Sequence, residues 1–172
     1  MQKRIVVRVV SGYLVIGFFL STTLVYSYPL VPDPEITQGD LCAKNDPDFE
    51  KYAYQERIPY CQRNVNGSRR EKIYDEYQIP SKCRHRYTID HFIPLSLGGS
   101  NADTNLWPEH VLVKATRPLL EQELYFAIEQ GEINQKEAIG IIVREKTKEK
   151  QRDMSQSPAL ELDHTKVKDE CD

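Results

Sequence analysis

Apolar residues recur at helical spacing in two stretches of the second half of the chain. The stripe from Leu120 to Ile128 predicts an amphipathic helix, and Gly131 is a natural point for that helix to end. Asn134 and Glu137 have the spacing of a capping box, and the apolar positions of residues 138–142 predict another helix after it. The second half of the domain is therefore expected to be mainly helical.

Upstream of these helices the pattern is that of two short strands joined by a turn. Residues 86–94 hold the β-branched and aromatic side chains that suit a half-buried strand. Residues 98–104 begin with two glycines and are typical of a connection between antiparallel segments. Asn105–Trp107 is then the returning strand, closed by Pro108. With a further short helix expected at Ser68–Tyr77, the pattern predicts an α+β fold.

The N-terminal segment differs in composition from the rest of the chain. Lys3, Arg4 and Arg8 precede an apolar run, residues 9–26, that contains no charged residue. This arrangement is typical of a secretory signal peptide, with cleavage near Ser27. The alternative is an uncleaved membrane anchor, because the run is close to the length that spans a bilayer. In both cases the rest of the chain is expected to be exported, periplasmic or secreted after cleavage and membrane-anchored without it.

Three segments are predicted after this signal or anchor, which occupies residues 1–27. Residues 28–40 contain three prolines and predict a linker. Residues 41–152 are expected to form the domain, and residues 153–172 a polar, mobile tail without periodicity. The composition, 40% hydrophobic and 28% charged, is ordinary for a soluble globular domain and argues against a multi-span membrane protein.

The four cysteines fit an exported protein, in which disulfides form and persist. They allow three pairings, between which the sequence does not choose. Cys42 with Cys61 is the preferred pair, because the two flank a short segment rich in aromatic residues and loop formers. A zinc site is the competing interpretation, but no two of the cysteines have C-x-x-C spacing.

The charge pattern limits how the protein could bind nucleic acid. The formal net charge is −3, and cleavage after Ser27 would remove three basic residues and no acidic ones. A global positive field is then absent, so binding would depend on local basic patches. Residues 55–88 hold eight Lys or Arg against four acidic residues, an arrangement that also fits a plain solvated face.

Asp90 and His91 are the residues best suited to carry chemistry. Histidine has an ordinary pKa of about 6.5 and can act as a general base near neutral pH, while a carboxylate is a ligand that Mg²⁺ prefers. Adjacent strand residues point to opposite faces, so the pair can share a site only at a bulge or at the end of the strand. The Asn105 amide can bridge backbone groups across the turn and hold the strand that bears His91.

The sequence around this pair resembles the bacterial HNH endonuclease family. YTIDHFIPLSLGGSN at residues 87–101 and NLWP at residues 105–108 are similar to the motif of that family. Residues 39–42 and 58–65 are similar to the lead-in of its exported members, so that the resemblance extends over residues 39–145. It implies a ββα-metal core with flanking helices.

The resemblance also implies roles for individual residues. Asp90 would bind a divalent metal ion, His91 would be the general base, and Asn105 would be the middle Asn of the motif. The family usually takes a second metal ligand, His or Asn, from eight or nine residues beyond that Asn, where this chain has Val-Lys at residues 113–114. His110 is the nearest substitute, Glu109 and Glu121 are other oxygen donors within reach, and Asp90 as the single protein ligand is the alternative. Mg²⁺ is the expected ion, with Mn²⁺ and Zn²⁺ as alternatives.

The predicted function is therefore exported, metal-dependent hydrolysis of phosphodiester bonds in DNA, with RNA as a second substrate. Low sequence specificity is expected because phosphate contacts carry no sequence information. The residues expected to contact the nucleic-acid backbone are Arg84, Arg86, Lys114 and Arg117. The alternatives are a degenerate HNH protein that binds nucleic acid without cleaving it, and a secreted, disulfide-stabilised interaction module in which the Asp-His pair is incidental.

Overall fold

A computed structural model describes residues 29–148 and Cys171 of the chain. The predicted signal or anchor segment lies outside the described residues, and so does the predicted tail apart from Cys171. Over the described ranges, no helix combines the length and the apolar composition needed to cross a bilayer.

Within these residues the chain is a mixed α+β domain with two small antiparallel sheets, in agreement with the predicted fold class. The strands are β1 (Phe49–Ala53), β2 (Ile58–Cys61), β3 (Tyr87–His91) and β4 (Leu106–His110). The helices are α1 (Gly67–Glu76), α2 (Val111–Lys114), α3 (Leu120–Glu129) and α4 (Gln135–Thr147). Strand β1 pairs with β2, and β3 pairs with β4.

The two helices predicted in the second half of the chain are present. In α3, Leu124 and Ile128 are buried, and the helix is followed by Gly131 at φ +74°. Helix α4 begins with the predicted capping box: Asn134 Oδ1 accepts from the backbone N–H of Glu137 at 2.9 Å, and the Glu137 carboxylate accepts from the backbone N–H of Asn134 at 2.9 Å. Two amide groups at the start of the helix are thereby satisfied.

Strand β4 is longer than predicted. It continues through Pro108, which lies opposite Ile89 in the register, and ends at His110. The predicted closure at Pro108 is wrong because, among the described residues, β4 pairs with a strand on one side alone, so that a residue without an N–H group is tolerated on its other side. The β1–β2 hairpin was not predicted from the sequence.

The segment predicted as a linker, residues 28–40, packs against the domain in its described part. Thr37 is buried, and its hydroxyl donates to the carbonyl of Leu106 at 2.8 Å. The backbone N–H of Gly39 donates to the carbonyl of Thr104 at 2.9 Å. Residues of the predicted linker thus make contacts with the domain, because prolines exclude a regular helix but not the packing of an extended chain.

Two clusters of buried apolar side chains hold the elements together. One lies between α1 and the β3–β4 hairpin and contains Ile73 and Trp107. The other lies between α3, α4 and the loop that follows β3, and contains Leu97 and Ile142. Helix α1 thus packs against the strands of the hairpin, and α3 and α4 pack against the loop that follows β3.

Two disulfides add covalent links to this packing. Cys42 and Cys61 are bonded, as predicted, and join the start of the domain to the end of β2. Cys83 and Cys171 form a second disulfide across 88 positions of sequence. Cys83 lies in the 3-10 turn before β3, so this bond ties the C-terminal end of the chain to the hairpin.

Candidate functional site

Asn105 organises the long loop that joins β3 to β4. Its buried amide donates through Nδ2 to the carbonyls of Ile93 at 3.0 Å and Ser100 at 2.9 Å. Its Oδ1 accepts from the backbone N–H of Ile93 at 2.9 Å. Three buried backbone groups outside the strand ladder are satisfied in this way. The amide therefore has the bridging position that the sequence predicted, while a direct catalytic role for Asn105 stays a prediction.

The two glycines of the loop allow the chain to fold back onto Asn105. Gly98 has φ +85°, a conformation that L side chains rarely adopt. At Gly99 a Cβ atom would lie 1.9 Å from the carbonyl oxygen of Ile93, the same oxygen that accepts from the Asn105 amide. The end of β3 is thus held in place by backbone contacts that a side chain would obstruct.

His91 is the last residue of β3, and its imidazole lies between a donor and an acceptor. Nδ1 is 3.1 Å from the Arg63 guanidinium, and Nε2 is 3.0 Å from Oδ1 of Asn101. A guanidinium only donates and an amide oxygen only accepts, so the ring is neutral with its proton on Nε2. The Asn101 amide is oriented in turn, because Nδ2 donates to the Asp48 carboxylate at 2.9 Å and to the Gln62 carbonyl at 2.8 Å.

The environment of His91 makes it a weak base in the free protein. The residue is 4% exposed, and burial lowers the pKa of His91 to about 4. The hydrogen bond to Asn101 acts in the opposite direction, while the positive charge of Arg63 lowers the pKa further. The ring is therefore neutral at neutral pH, and its lone pair on Nδ1 faces the exposed Arg63.

Both oxygens of the Asp90 carboxylate are held by lysine side chains. Lys146 Nζ donates to Oδ2 at 2.8 Å, and Lys114 Nζ donates to Oδ1 at 3.0 Å. Burial alone would raise the pKa of Asp90, but the two ammonium groups outweigh it and hold this pKa well below its ordinary value. Asp90 is therefore a buried carboxylate that is fully ionised and fully paired at neutral pH.

Lys146 reaches this position from the last turn of α4. Its side chain is 1% exposed, and its ammonium group donates to Asp90, to the Glu121 carboxylate at 2.9 Å and to the backbone carbonyl of His91 at 2.6 Å. These three acceptors match the three N–H groups of an ammonium. Lys146 thus joins α3 and α4 to the end of β3.

Glu109 extends the same network on the neighbouring strand. It is buried and receives a hydrogen bond from Arg117, and Lys114 Nζ lies 3.6 Å from its second oxygen. Burial, followed by the negative charge of Asp90, raises the pKa of Glu109. The network consequently contains three carboxylates, one of them from Glu121, and three cationic side chains.

The side chains of Asp90 and His91 have different hydrogen-bond partners. The pairing of β3 with β4 is regular to its end, with Asp90 opposite Trp107 and His91 opposite Leu106. Consecutive residues of a regular strand point to opposite faces, and the two side chains have separate partners. Their predicted place at the end of the strand is confirmed, and no bulge interrupts the pairing of this strand, while a pocket shared by the two side chains stays a prediction.

His110, expected as the second metal ligand, lies at the opposite end of the hairpin from Asp90. It is opposite Tyr87 in the register, with the two ring centroids 5.0 Å apart and the rings edge to face. Its Nδ1 accepts from the backbone N–H of Leu112 at 3.3 Å and so caps α2. The structure therefore gives His110 a capping position and does not bring it to Asp90.

A divalent cation does not fit the residues around Asp90 as they are arranged. Each carboxylate oxygen carries a hydrogen bond from an ammonium group 3.0 Å away or less, and these two charges would repel a further cation. Lys114 also stands at one of the positions where the HNH resemblance places the second ligand. In the part of the chain that is described, no group of three or more His, Cys, Asp or Glu side chains is placed to hold a metal ion.

The four basic residues expected to contact nucleic acid differ in how accessible they are. Arg84 donates to two carboxylates of α1, and Arg117, whose side chain is 10% exposed, donates to Glu109. These two charges are engaged by the protein's own carboxylates. Arg86 is half-buried, whereas the side chain of Lys114 is 52% exposed. Lys114 is also paired with carboxylates, those of Asp90 and Glu109, but its side chain is more exposed than those of Arg84 and Arg117.

Arg63, Asn101 and Lys146 are among the residues of the site that were not identified from the sequence. Arg63 and Asn101 lie inside the two strings that resemble HNH proteins, so the resemblance held a signal for both. Lys146 lies in a charged stretch of α4 without a motif, and no sequence signal distinguishes it from its neighbours.

The comparisons with known proteins add no family to this description. No protein-family model matches the chain, no curated protein matches it, and no solved structure matches it.

Proposed function

We propose that this protein is an exported nuclease of the HNH type, which hydrolyses phosphodiester bonds in DNA first and RNA second, with low sequence specificity. The observation that carries the proposal is the 3.1 Å contact between Nδ1 of His91 and the exposed Arg63. A neutral imidazole that could serve as the base thus lies beside a cation that suits a phosphate. The two disulfides are compatible with export.

A bound phosphodiester would change the surroundings of His91 in the direction that catalysis needs. Arg63 would turn its guanidinium toward the phosphate oxygens and expose the lone pair of Nδ1 to an adjacent water. The negative charge of the phosphate would also raise the pKa of His91 from about 4 toward its ordinary value, making the ring a stronger base. Asn101 would keep the proton on Nε2 and the ring in place.

The hydrolytic step then follows from these positions. The water oxygen forms a bond to phosphorus, its proton moves to Nδ1 of His91, and the bond from phosphorus to the leaving oxygen breaks. The leaving oxygen takes a proton from solvent. Arg63 offsets the charge that develops on the phosphate oxygens.

A cleavage assay on supercoiled plasmid and on a single-stranded oligonucleotide tests the proposal. His91→Ala is expected to lower the cleavage rate by about 100-fold or more, because the general base is removed. Arg63→Ala should also lower it, through the loss of charge stabilisation. His85→Ala is the matched control, since His85 is exposed and bonded to the nearby Lys82 carbonyl, and it should cleave at the wild-type rate. Equal rates for His91→Ala and His85→Ala would eliminate His91 as the base.

A second candidate function is binding of nucleic acid without cleavage. It is favoured by the burial of His91 and by the hydrogen bonds at both of its ring nitrogens, which leave the free protein without an exposed base. A mobility-shift titration at low and high salt, run beside the cleavage assay, separates the two functions. Salt-sensitive binding by a wild-type protein that yields no product would identify a binding protein.

A further inference from the structure

We propose that Lys114 and Lys146 supply at Asp90 the positive charge that a divalent cation would otherwise supply. The surface around Asp90 and Lys114 would then bind phosphate without a divalent metal. The exclusion of a divalent cation is argued from the geometry of the lysine pair. The binding of phosphate rests on the proposed function.

Lys146 occupies its position as a fixed part of the fold. Its buried ammonium uses all three N–H groups, on Asp90, Glu121 and the His91 carbonyl. A metal ion that took Oδ2 of Asp90 would leave a buried ammonium without one of its partners, which is strongly unfavourable. Lys146 is therefore not a side chain that a cation can displace while the fold stays intact.

Lys114 is the accessible member of the pair. Its Nζ lies 3.0 Å from Oδ1 of Asp90 and 3.6 Å from Oε2 of Glu109, and its side chain is 52% exposed. An ammonium group has three N–H donors and no acceptor, so Lys114 cannot ligate a metal while it is charged, but it can donate to an anion from solvent. The anion that fits the proposed function is a phosphate of the nucleic-acid backbone.

The carboxylates around Asp90 already have cationic partners. The carboxylates of Asp90, Glu109 and Glu121 are paired with three cationic side chains, those of Lys114, Lys146 and Arg117. A divalent ion would add two positive charges to a partly buried network that has no unpaired carboxylate to receive it.

The cation part of the proposal is tested on the wild-type protein with Mn²⁺, whose unpaired electrons broaden NMR signals of nearby nuclei. In a ¹H–¹⁵N spectrum with up to equimolar Mn²⁺, the amide signals of Asp90 and His91 should keep their intensity relative to those of the whole chain. Selective loss of these two signals would overturn the proposal. The measurement is site-specific, so Mn²⁺ at another surface carboxylate is recognised by the amides that it broadens.

The phosphate part is tested by nucleic-acid binding in EDTA and in Mg²⁺, with Lys114→Gln compared with Lys136→Gln. Lys136 is exposed near the start of α4 and serves as the matched control. Wild-type affinity in EDTA should be at least as high as in Mg²⁺, because Mg²⁺ competes for the phosphates as a counterion. Lys114→Gln should reduce the slope of log affinity against log salt by about 1, while Lys136→Gln should leave it unchanged.

Two outcomes of the binding experiment would overturn the phosphate part. One is affinity or cleavage that is lost in EDTA and restored by Mg²⁺. The other is an equal slope for Lys114→Gln and Lys136→Gln. If the wild-type protein binds no nucleic acid in either buffer, the phosphate part fails together with the proposed function, and the Mn²⁺ measurement still decides the cation part.

Discussion

The chemistry of His91 is determined by a small number of contacts. Burial disfavours the charged ring, Arg63 adds a positive charge beside Nδ1, and Asn101 Oδ1 accepts a hydrogen bond from the Nε2–H group. Each of these contacts maintains a neutral imidazole in one tautomer. The same arrangement links the protonation of His91 to the stability of the fold.

Acidification should destabilise the protein through His91. Its pKa is about 4 in the folded state and about 6.5 in an unfolded chain, so the unfolded state binds more protons between these values. The contribution of His91 to the free energy of unfolding is therefore fully present above about pH 6.5. It falls by up to about 3 kcal/mol as the pH drops to about 4. Urea unfolding of wild type and His91→Gln across this pH range measures the loss of stability.

The comparison of the two proteins isolates the contribution of His91, because carboxylates titrate in both. The stability difference between wild type and His91→Gln should shrink as the pH falls. Parallel pH profiles for the two proteins would mean that the folded-state pKa of His91 is not lowered.

The sequence alone identified some residues of the candidate site but not the residues that contact them. Asp90, His91 and Asn105 were identified because they stand in one short motif. Arg63 and Lys146 contact His91 from 28 and 55 positions away in the sequence. Such contacts depend on tertiary packing, which no local pattern of residue types encodes. The lysine pair at Asp90 could not be predicted for this reason.

Among the structural elements, the loop between β3 and β4 was the most predictable and the β1–β2 hairpin the least. The loop depends on local chemistry, with two glycines and an Asn105 amide that satisfies its backbone. Strand β1 is largely exposed and lacks the alternation of apolar and polar residues that marks a half-buried strand. Its position is set instead by pairing with β2 and by the Cys42–Cys61 disulfide.

The close packing of the loop predicts that a side chain at Gly99 destabilises the fold. In Gly99→Ala the new methyl group would meet the Ile93 carbonyl oxygen at 1.9 Å and the Asn105 Nδ2 atom at 2.9 Å, so the hydrogen bond between these atoms must break or move. We expect a loss of about 2–3 kcal/mol in the free energy of unfolding, measured by urea denaturation.

Gly140→Ala is the control for this change. Gly140 lies inside α4, and a Cβ atom there would have no neighbour within 4 Å. Removing a glycine from a helix interior should stabilise the protein by about 0.5–1 kcal/mol. Variants that shift stability in the same direction would refute the close approach at Gly99.

For the whole molecule, the long-range links converge on the β3–β4 hairpin. Lys146 attaches α4 to the end of β3, and the Cys83–Cys171 disulfide attaches the chain end to the turn before β3. The Cys42–Cys61 disulfide closes a separate loop that does not overlap the other in sequence. The two bonds therefore constrain different parts of the unfolded chain, and their contributions should add.

Removal of the longer link should cost more stability than removal of the shorter one. A disulfide restricts the unfolded chain in proportion to the logarithm of the loop that it closes, and the two sequence separations are 88 and 19 residues. On this basis Cys83→Ala/Cys171→Ala should lower the free energy of unfolding by about 4–5 kcal/mol, and Cys42→Ala/Cys61→Ala by about 3 kcal/mol. Urea denaturation of both double variants without reductant measures the two losses, and the reverse order would show that native packing around Cys42 and Cys61, rather than chain entropy, dominates. Because the Cys83 bond fixes the segment that leads into β3, its loss should also loosen the strand that positions Asp90 and His91, while the shorter bond should leave that strand unchanged.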